Sequence, residues 1–283
     1  MRKGILLFVL LAVLTIICFS TSGCSDKKPV ADSASVDSTK IDCTAQDTLE
    51  SIISETPMPK AADELFDDFI FNFAANKKLQ YKRIKFPLNV YDGNKMVKLE
   101  KNQWKMEHFF MRQGYYTLIF DNMKQKNLVK DTTINHVVIE KIYFSIKTVK
   151  QYIFDRINGQ WMMTAVNNKA MYQNTNASFL KFYQRFSVDS AFQVHSMNDL
   201  VEFTSANPDD DFSTQTGSIS PDQWPSFKPE LIPSGIIYNI IYGQKYTESN
   251  LKIFVIRGIA NGMEEELVFR NRGGKWKLMK FNG

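Results

Sequence analysis

The stretch YIFDRINGQWMM, from Tyr152 to Met163, returns near the C-terminus as LVFRNRGGKWKL, from Leu267 to Leu278, and this repetition constrains the fold more than any other feature. In each copy a Phe precedes a Trp by seven residues: Phe154 and Trp161, then Phe269 and Trp276. Asn158-Gly159 and Gly273-Gly274 stand just ahead of the tryptophans, and such pairs supply the positive φ angles that a tight hairpin turn demands. Each stretch is therefore expected to be strand, turn, strand. Other landmarks keep the same order. Phe66, Phe69, Phe73 and Gln80 recur 113 residues on as Phe179, Phe182, Phe186 and Gln193, and Trp104 recurs after 120 residues as Trp224. The pattern predicts a duplicated unit, one copy over residues 61–173 and the other over 174–283.

With 283 residues, 44% of them hydrophobic, the chain can bury a core in each copy. Residues 61–173 carry 18 Lys and Arg against 11 Asp and Glu, whereas 174–283 carry 11 against 12. A basic first unit suits anionic headgroups, acidic glycans or nucleic acid. Its lysines are scattered, however, so a solvated lysine-rich surface is the plainer reading and nucleic acid is not expected as a partner.

The N-terminus has a different character. Residues 1–23 open with Arg2 and Lys3 and run apolar from Ile5 to Phe19, too short a stretch to span a bilayer comfortably, as in a secretory signal. Thr21-Ser22-Gly23-Cys24 resembles the lipobox of bacterial lipoproteins, with a threonine where leucine is usual. The resemblance implies cleavage before Cys24 and lipid attachment to its sulfur, ahead of a retained anchor or plain secretion. Ser25 after the cysteine favours the outer membrane by the same resemblance, and Asp26 leaves surface display open beside a periplasmic orientation. Residues 24–60 are rich in Ser, Asp, Thr and Pro, as a flexible tether is. Cys18 leaves with the leader and Cys24 is capped, so Cys43 remains alone, no intramolecular disulfide is expected, and its thiol reads as incidental.

Within the first unit, the spacing of Leu65, Phe66, Phe69 and Phe73 predicts a helix, with acidic residues in its first turns. LQYKRIKFPLNV and KMVKLE read as strands, EKNQWKMEHFFM as a second helix, and YYTLIF, NHVVIEKIYF, TVKQYIFDRI and QWMMTAVN as four more strands. The second unit follows the same order. There, SANPDDDFSTQTGSISPDQWPSFKPELIP, with prolines at 208, 221, 225, 229 and 233, is expected to replace the middle helix with a loop.

Helix, two strands, helix, four strands resembles the cone of the nuclear transport factor 2-like superfamily. With FDDFIFNFAANKKLQYKRIKFPL, the lipobox and the tether, the chain is also similar to an uncharacterised family of envelope lipoproteins. The resemblance implies an α+β fold of two tandem cone-shaped nuclear transport factor 2-like (cystatin-like) domains, each with helices packed on a bent antiparallel sheet. FQVHSMNDLVEF departs from LQYKRIKFPL, so nothing about Arg83 or Pro87 carries to the second copy.

Chemical motifs are sparse. His108, His136 and His195 lie far apart without zinc-ligand spacing, and Asp209-Asp210-Asp211 lacks the ligand alternation of a calcium loop, so neither metal nor cofactor is expected. No nucleophile elbow, phosphate loop or paired-carboxylate motif is present. Trp161 and Trp276 read as core. A pocket in the first cone would be lined by Trp104, His108, Tyr116 and Tyr143, with His108 one helical turn from Trp104 and more plausibly structural than a base. The leading expectation is a non-catalytic, lipid-anchored envelope protein binding a ligand or another envelope protein through the cleft between domains. The rivals are a small-molecule enzyme or sequestering protein using the first cone, and a purely structural role.

Overall fold

A computed structural model describes residues 60–207, 210–244 and 249–283. The leader, Cys24, the tether to residue 59 with its Cys43, and Asp209 lie outside the described residues.

Helix α1 (Phe66–Ala75) turns Phe66, Phe69, Ile70, Phe73 and Ala74 inward and carries Asp67 and Asp68 in its first turn, where the helix dipole favours anions. Asn76 breaks the run. Its side chain accepts from the Leu79 N–H and starts α2 (Lys77–Arg83). Strands β1 (Ile84–Asp92) and β2 (Lys95–Leu99) follow, joined by a turn in which Gly93 takes a positive φ.

The helix expected around Trp104 does not form. Residues 101–103 and 109–112 make separate 3-10 turns. Gln80 is the physical reason, because its side chain occupies the backbone that a helix would use. Gln80 Nε2 donates to the Glu107 carbonyl (2.7 Å) and Oε1 accepts from the Glu107 N–H (3.1 Å) and from Trp104 Nε1 (3.1 Å). Trp104 and His108 therefore do not share a helical face.

The chain continues through β3 (Tyr115–Phe120), β4 (His136–Tyr143), β5 (Thr148–Ile157) and β6 (Gln160–Ala170). Helix α3 (Ala177–Phe186) buries Phe179, Leu180, Tyr183 and Phe186, and α4 (Ser190–His195) is capped by the Asp189 carboxylate on the Phe192 N–H. Next come β7 (Met197–Asn207) and β8 (Asp210–Ile219), the four-residue α5 (Trp224–Phe227), β9 (Ile236–Ile241), β10 (Leu251–Gly258), β11 (Glu264–Arg272) and β12 (Lys275–Asn282). The loop expected from Ser205 is thus largely a hairpin, with Thr204 opposite Thr216 and Ser205 opposite Gln215. Its Ser and Thr residues suit an edge hairpin whose faces stay largely solvated. The prolines at 221 and 225 act only beyond Ile219, where they begin short helical turns.

Two separate bent sheets were the expectation, and one continuous sheet is found. Its twelve strands run β2-β1-β6-β5-β4-β9-β3-β10-β11-β12-β7-β8. Exchanging each strand with the one six places away in sequence reverses this order onto itself. The consequence lies at the centre. β9, from the second half, pairs with β4 of the first, and β3, from the first half, pairs with β10 of the second. β3 and β9 meet in parallel at Thr117 and Asn239.

The two cores occupy opposite faces of the central strands. Tyr116, Leu118 and Phe120 of β3 pack into the core under α1, together with Tyr238 and Ile240 of β9 and Ile253 and Val255 of β10. Ile119, Ile142, Ile237, Phe254 and Ile256 pack into the other core, under α3. The repeated landmarks take matching roles in the two cores. Phe66 meets Trp161 edge-on at 5.1 Å, and Phe179 meets Trp276 at 5.5 Å. Gln193 accepts from Trp224 Nε1 (3.0 Å) and donates to the Phe186 carbonyl, as Gln80 does to the Phe73 carbonyl.

Candidate functional site

The mouth of the first core collects its most unusual polar groups. The grip of Gln80 on both sides of Glu107 fixes that residue's backbone and aims its carboxylate at the sheet. There Oε2 accepts from the Tyr152 hydroxyl at 2.5 Å. Oε1 takes the Phe109 N–H (3.3 Å), the Tyr238 hydroxyl (3.4 Å) and, more distantly, the Lys141 ammonium (3.5 Å).

Strand register assembles the rest. Tyr238 on β9 lies opposite Lys141 on β4, Lys141 opposite Lys150 on β5, and Lys150 opposite Asn168 on β6. The row beyond it runs Ile236, Tyr143, Thr148, Ala170. Two lysines thus face each other across adjacent strands, an arrangement that repels. Lys141 is 18% exposed and sits 5.6 and 5.1 Å from the ring centroids of Tyr143 and Tyr238, and Lys150 lies 4.9 Å from that of Tyr152.

The titration of these groups follows from their surroundings. Burial pushes the Glu107 carboxyl up, but the Tyr152 hydroxyl, Lys141, Lys150 and the Phe109 N–H together outweigh it and hold the group below the usual range. Burial likewise lowers Lys150, with Lys141 adding to the effect and Glu107 opposing it. Lys141 goes the other way: burial works against its charge, but Tyr238 and Glu107 raise it overall. Burial pushes the Tyr238 hydroxyl up to about 12.

A depressed carboxyl stabilises the folded state fully above its unfolded value of about 4.3, and loses that contribution as the pH falls through its folded value. In Glu107→Gln, unfolding temperature between pH 6 and pH 3 is therefore expected to fall less steeply than in the unaltered protein. Parallel acid limbs in thermal melts would show that Glu107 contributes nothing to acid unfolding.

Two clefts flank the lysine pair. One, of about 400 Å³, is lined by His108, Arg112, Gln113, Lys141, Ile236 and Tyr238 among others. The other, of about 460 Å³, is lined by Asp92, Tyr143, Thr148, Lys150, Asn168 and Gln173 among others. Of the four residues expected to line a pocket, His108 is at the first cleft and Tyr143 at the second. Trp104 is buried and turned to Gln80, while Tyr116 donates instead to Asp67 (3.4 Å), on which the Tyr242 hydroxyl also converges. Burial raises the Asp67 carboxyl despite those hydroxyls and Arg257.

Glu107, Lys141, Lys150, Tyr152 and Tyr238 were not among the residues expected to line a pocket. A usable signal was present in two lysines equidistant from the Phe144–Lys147 turn, at strand positions whose neighbours two residues away face the core. Among the described residues no group of three or more His, Cys, Asp or Glu is placed to hold a metal, and no helix is long and apolar enough to cross a membrane.

The element order and the packing of helices against the sheet define an α+β protein of the nuclear transport factor 2-like class. The solved structure of an NTF2-like protein from Bacteroides fragilis matches it with a TM-score of 0.73 and 39% identity, over 80% of this chain and 98% of that one. The chain belongs to the family described as a domain of unknown function (DUF4348), whose model matches residues 45–283. No curated protein matches it.

Proposed function

We propose that this chain is a lipid-anchored envelope protein, held at the outer membrane through Cys24 and the 24–60 tether, whose body binds a ligand or an envelope partner without catalysis. One observation carries the non-catalytic part: the interior of the first cone is filled. Phe154 packs against Phe66 at 5.3 Å and Phe73 at 5.5 Å, Phe109 packs on Tyr152 at 4.9 Å, and Trp161 closes the end. At the mouth, the carboxylate best placed to act as a base already accepts from two tyrosines, a backbone N–H and a lysine, so its proton affinity is spent on the fold.

On the same reading, residues 61–173 and 174–283 are two copies of one unit that exchange their third large strand. The matched Phe, Trp and Gln contacts in the two cores support duplication, as does the strand order that maps onto itself. The family membership is compatible with a binding role.

Cys24→Ser tests the anchor. The unaltered chain should take up labelled palmitate and sediment with outer membranes, whereas the variant should do neither; equal labelling and sedimentation of both would overturn the address. Affinity capture of the lipidated protein from its own envelope tests the binding role. A specific, stoichiometric partner or ligand supports it, and chemical conversion of the captured compound by the protein would sink it.

A further inference from the structure

Building on the binding role just proposed, we infer that Lys141 and Lys150 form the recognition site for a small organic anion, whose carboxylate or phosphate sits between the two ammonium groups at the mouth of the first cone. Charge at this mouth is out of balance. Two lysines occupy directly opposed positions on β4 and β5, both with the ammonium group near a tyrosine ring, and the fold gives them one carboxylate to share. That carboxylate has both oxygens engaged, the shorter bond going to Tyr152 rather than to either lysine.

Lys141 reaches Glu107 only at 3.5 Å, and what the Lys150 ammonium faces is the Tyr152 ring at 4.9 Å, with Glu107 acting on it through charge alone. Several N–H donors in a partly desolvated site are thus left to an incoming acceptor. A group of oxygens bridging two ammonium ions makes charge-assisted bonds to both and removes their mutual repulsion.

The surroundings set the body of the ligand. Tyr143 and the 40%-exposed Ile236 lie one row further out and offer a flat, apolar shelf. Space on either side is supplied by the two clefts, one at each lysine. The chemistry is therefore a small anion carrying a planar or apolar body, with a shelf too short for a long acyl chain. Burial lowers Lys150, as expected for a cation that the fold leaves under-compensated.

The full chain in detergent can be titrated calorimetrically with benzoate, its neutral isostere benzamide, and inorganic phosphate. Benzoate is expected to bind and benzamide not to. Phosphate binding as tightly as benzoate assigns the site to the anionic head alone, and benzoate binding more tightly assigns part of the recognition to the shelf. Lys141→Met and Lys150→Met should each weaken benzoate at least about tenfold, the loss expected for one charge-assisted contact.

Lys150→Met should also melt no lower than the unaltered protein without ligand, because it removes a repelling charge while keeping an apolar stem. That second readout separates recognition from a structural role, in which the melting temperature would fall. Absence of benzoate and phosphate binding, equal binding of benzamide, or unchanged affinity in both variants would overturn the site. Those outcomes leave the wider binding role to the envelope capture, while conversion of a bound probe would sink that role and leave the site.

Discussion

A chain cut after residue 173 is expected to yield no folded monomer. In the intact protein β3 leaves its own half to pair with β10, and β9 takes the place beside β4. A lone first half has two choices. It can leave β4 unpaired at a new edge, or fold β3 back against it. In the exchanged arrangement, Thr117 and Ile119 of β3 correspond to Tyr238 and Ile240 of β9, so folding back would turn Thr117, Ile119 and Asp121 into the first core. Tyr116, Leu118 and Phe120, which now pack under α1, would then face water, along with Ile142 and Phe144, whose cover comes from the second half.

Exposing five large apolar side chains at roughly 1.5–3 kcal/mol each amounts to about 10 kcal/mol, comparable to the whole stability of a typical domain. Any folded fragment should therefore be a dimer, with each copy supplying the strand the other lacks. Sedimentation combined with circular dichroism checks this, and a monodisperse folded monomer would refute it.

The second large effect concerns one buried ion pair. Arg83 donates to Asp63 through both terminal nitrogens (2.9 and 2.7 Å) and to the Trp161 carbonyl, while Asp63 also accepts from the Trp161 N–H. This clamp ties the segment before α1 and the end of α2 to the β5–β6 hairpin, and both side chains are almost fully enclosed. Asp63→Ala leaves a guanidinium buried with one carbonyl, at a cost of about 3–5 kcal/mol. For a body of this size that corresponds to a melting temperature lower by roughly 10 °C. The double variant Asp63→Ala, Arg83→Met should recover most of the loss, because no unpaired charge remains. A single variant that melts within a degree of the unaltered protein would show the pair to be dispensable.

Much of this architecture was legible in the residues. Gly-containing turns fixed the β5–β6 and β11–β12 hairpins locally, since Asn158 and the glycines at 159, 273 and 274 all take positive φ. The spacing of Phe66, Phe69 and Phe73 gave α1 and its buried face. The β1–β2 hairpin read correctly from Ile84 onward, whereas Leu79–Arg83, expected as strand, belongs to α2, and the edge strand β8 was expected as loop. The middle helix failed because the competitor for its backbone, Gln80, lies more than twenty residues away.

The central strands hid their partners for a related reason. YYTLIF, GIIYNIIY and LKIFVIRG are nearly continuous apolar runs, which signals burial on both faces but names no neighbour. The repeat led to an expectation of two separate sheets, and nothing in either half of the sequence says that β3 pairs with β10 and β9 with β4.

What the sequence determined by itself was the glycine-turn hairpins, helix α1 with its buried face, and the aromatic positions that recur in both cores, because turns, helix faces and spacing depend on near neighbours. Only the tertiary structure decided the strand exchange and the meeting of Lys141 with Lys150, Tyr238 and Glu107. Side chains in a sheet alternate with a period of two, so a shift of one residue in the register would send Lys141, Lys150 or Tyr238 to the other face, away from Glu107. That register is fixed by pairing between strands up to about a hundred residues apart.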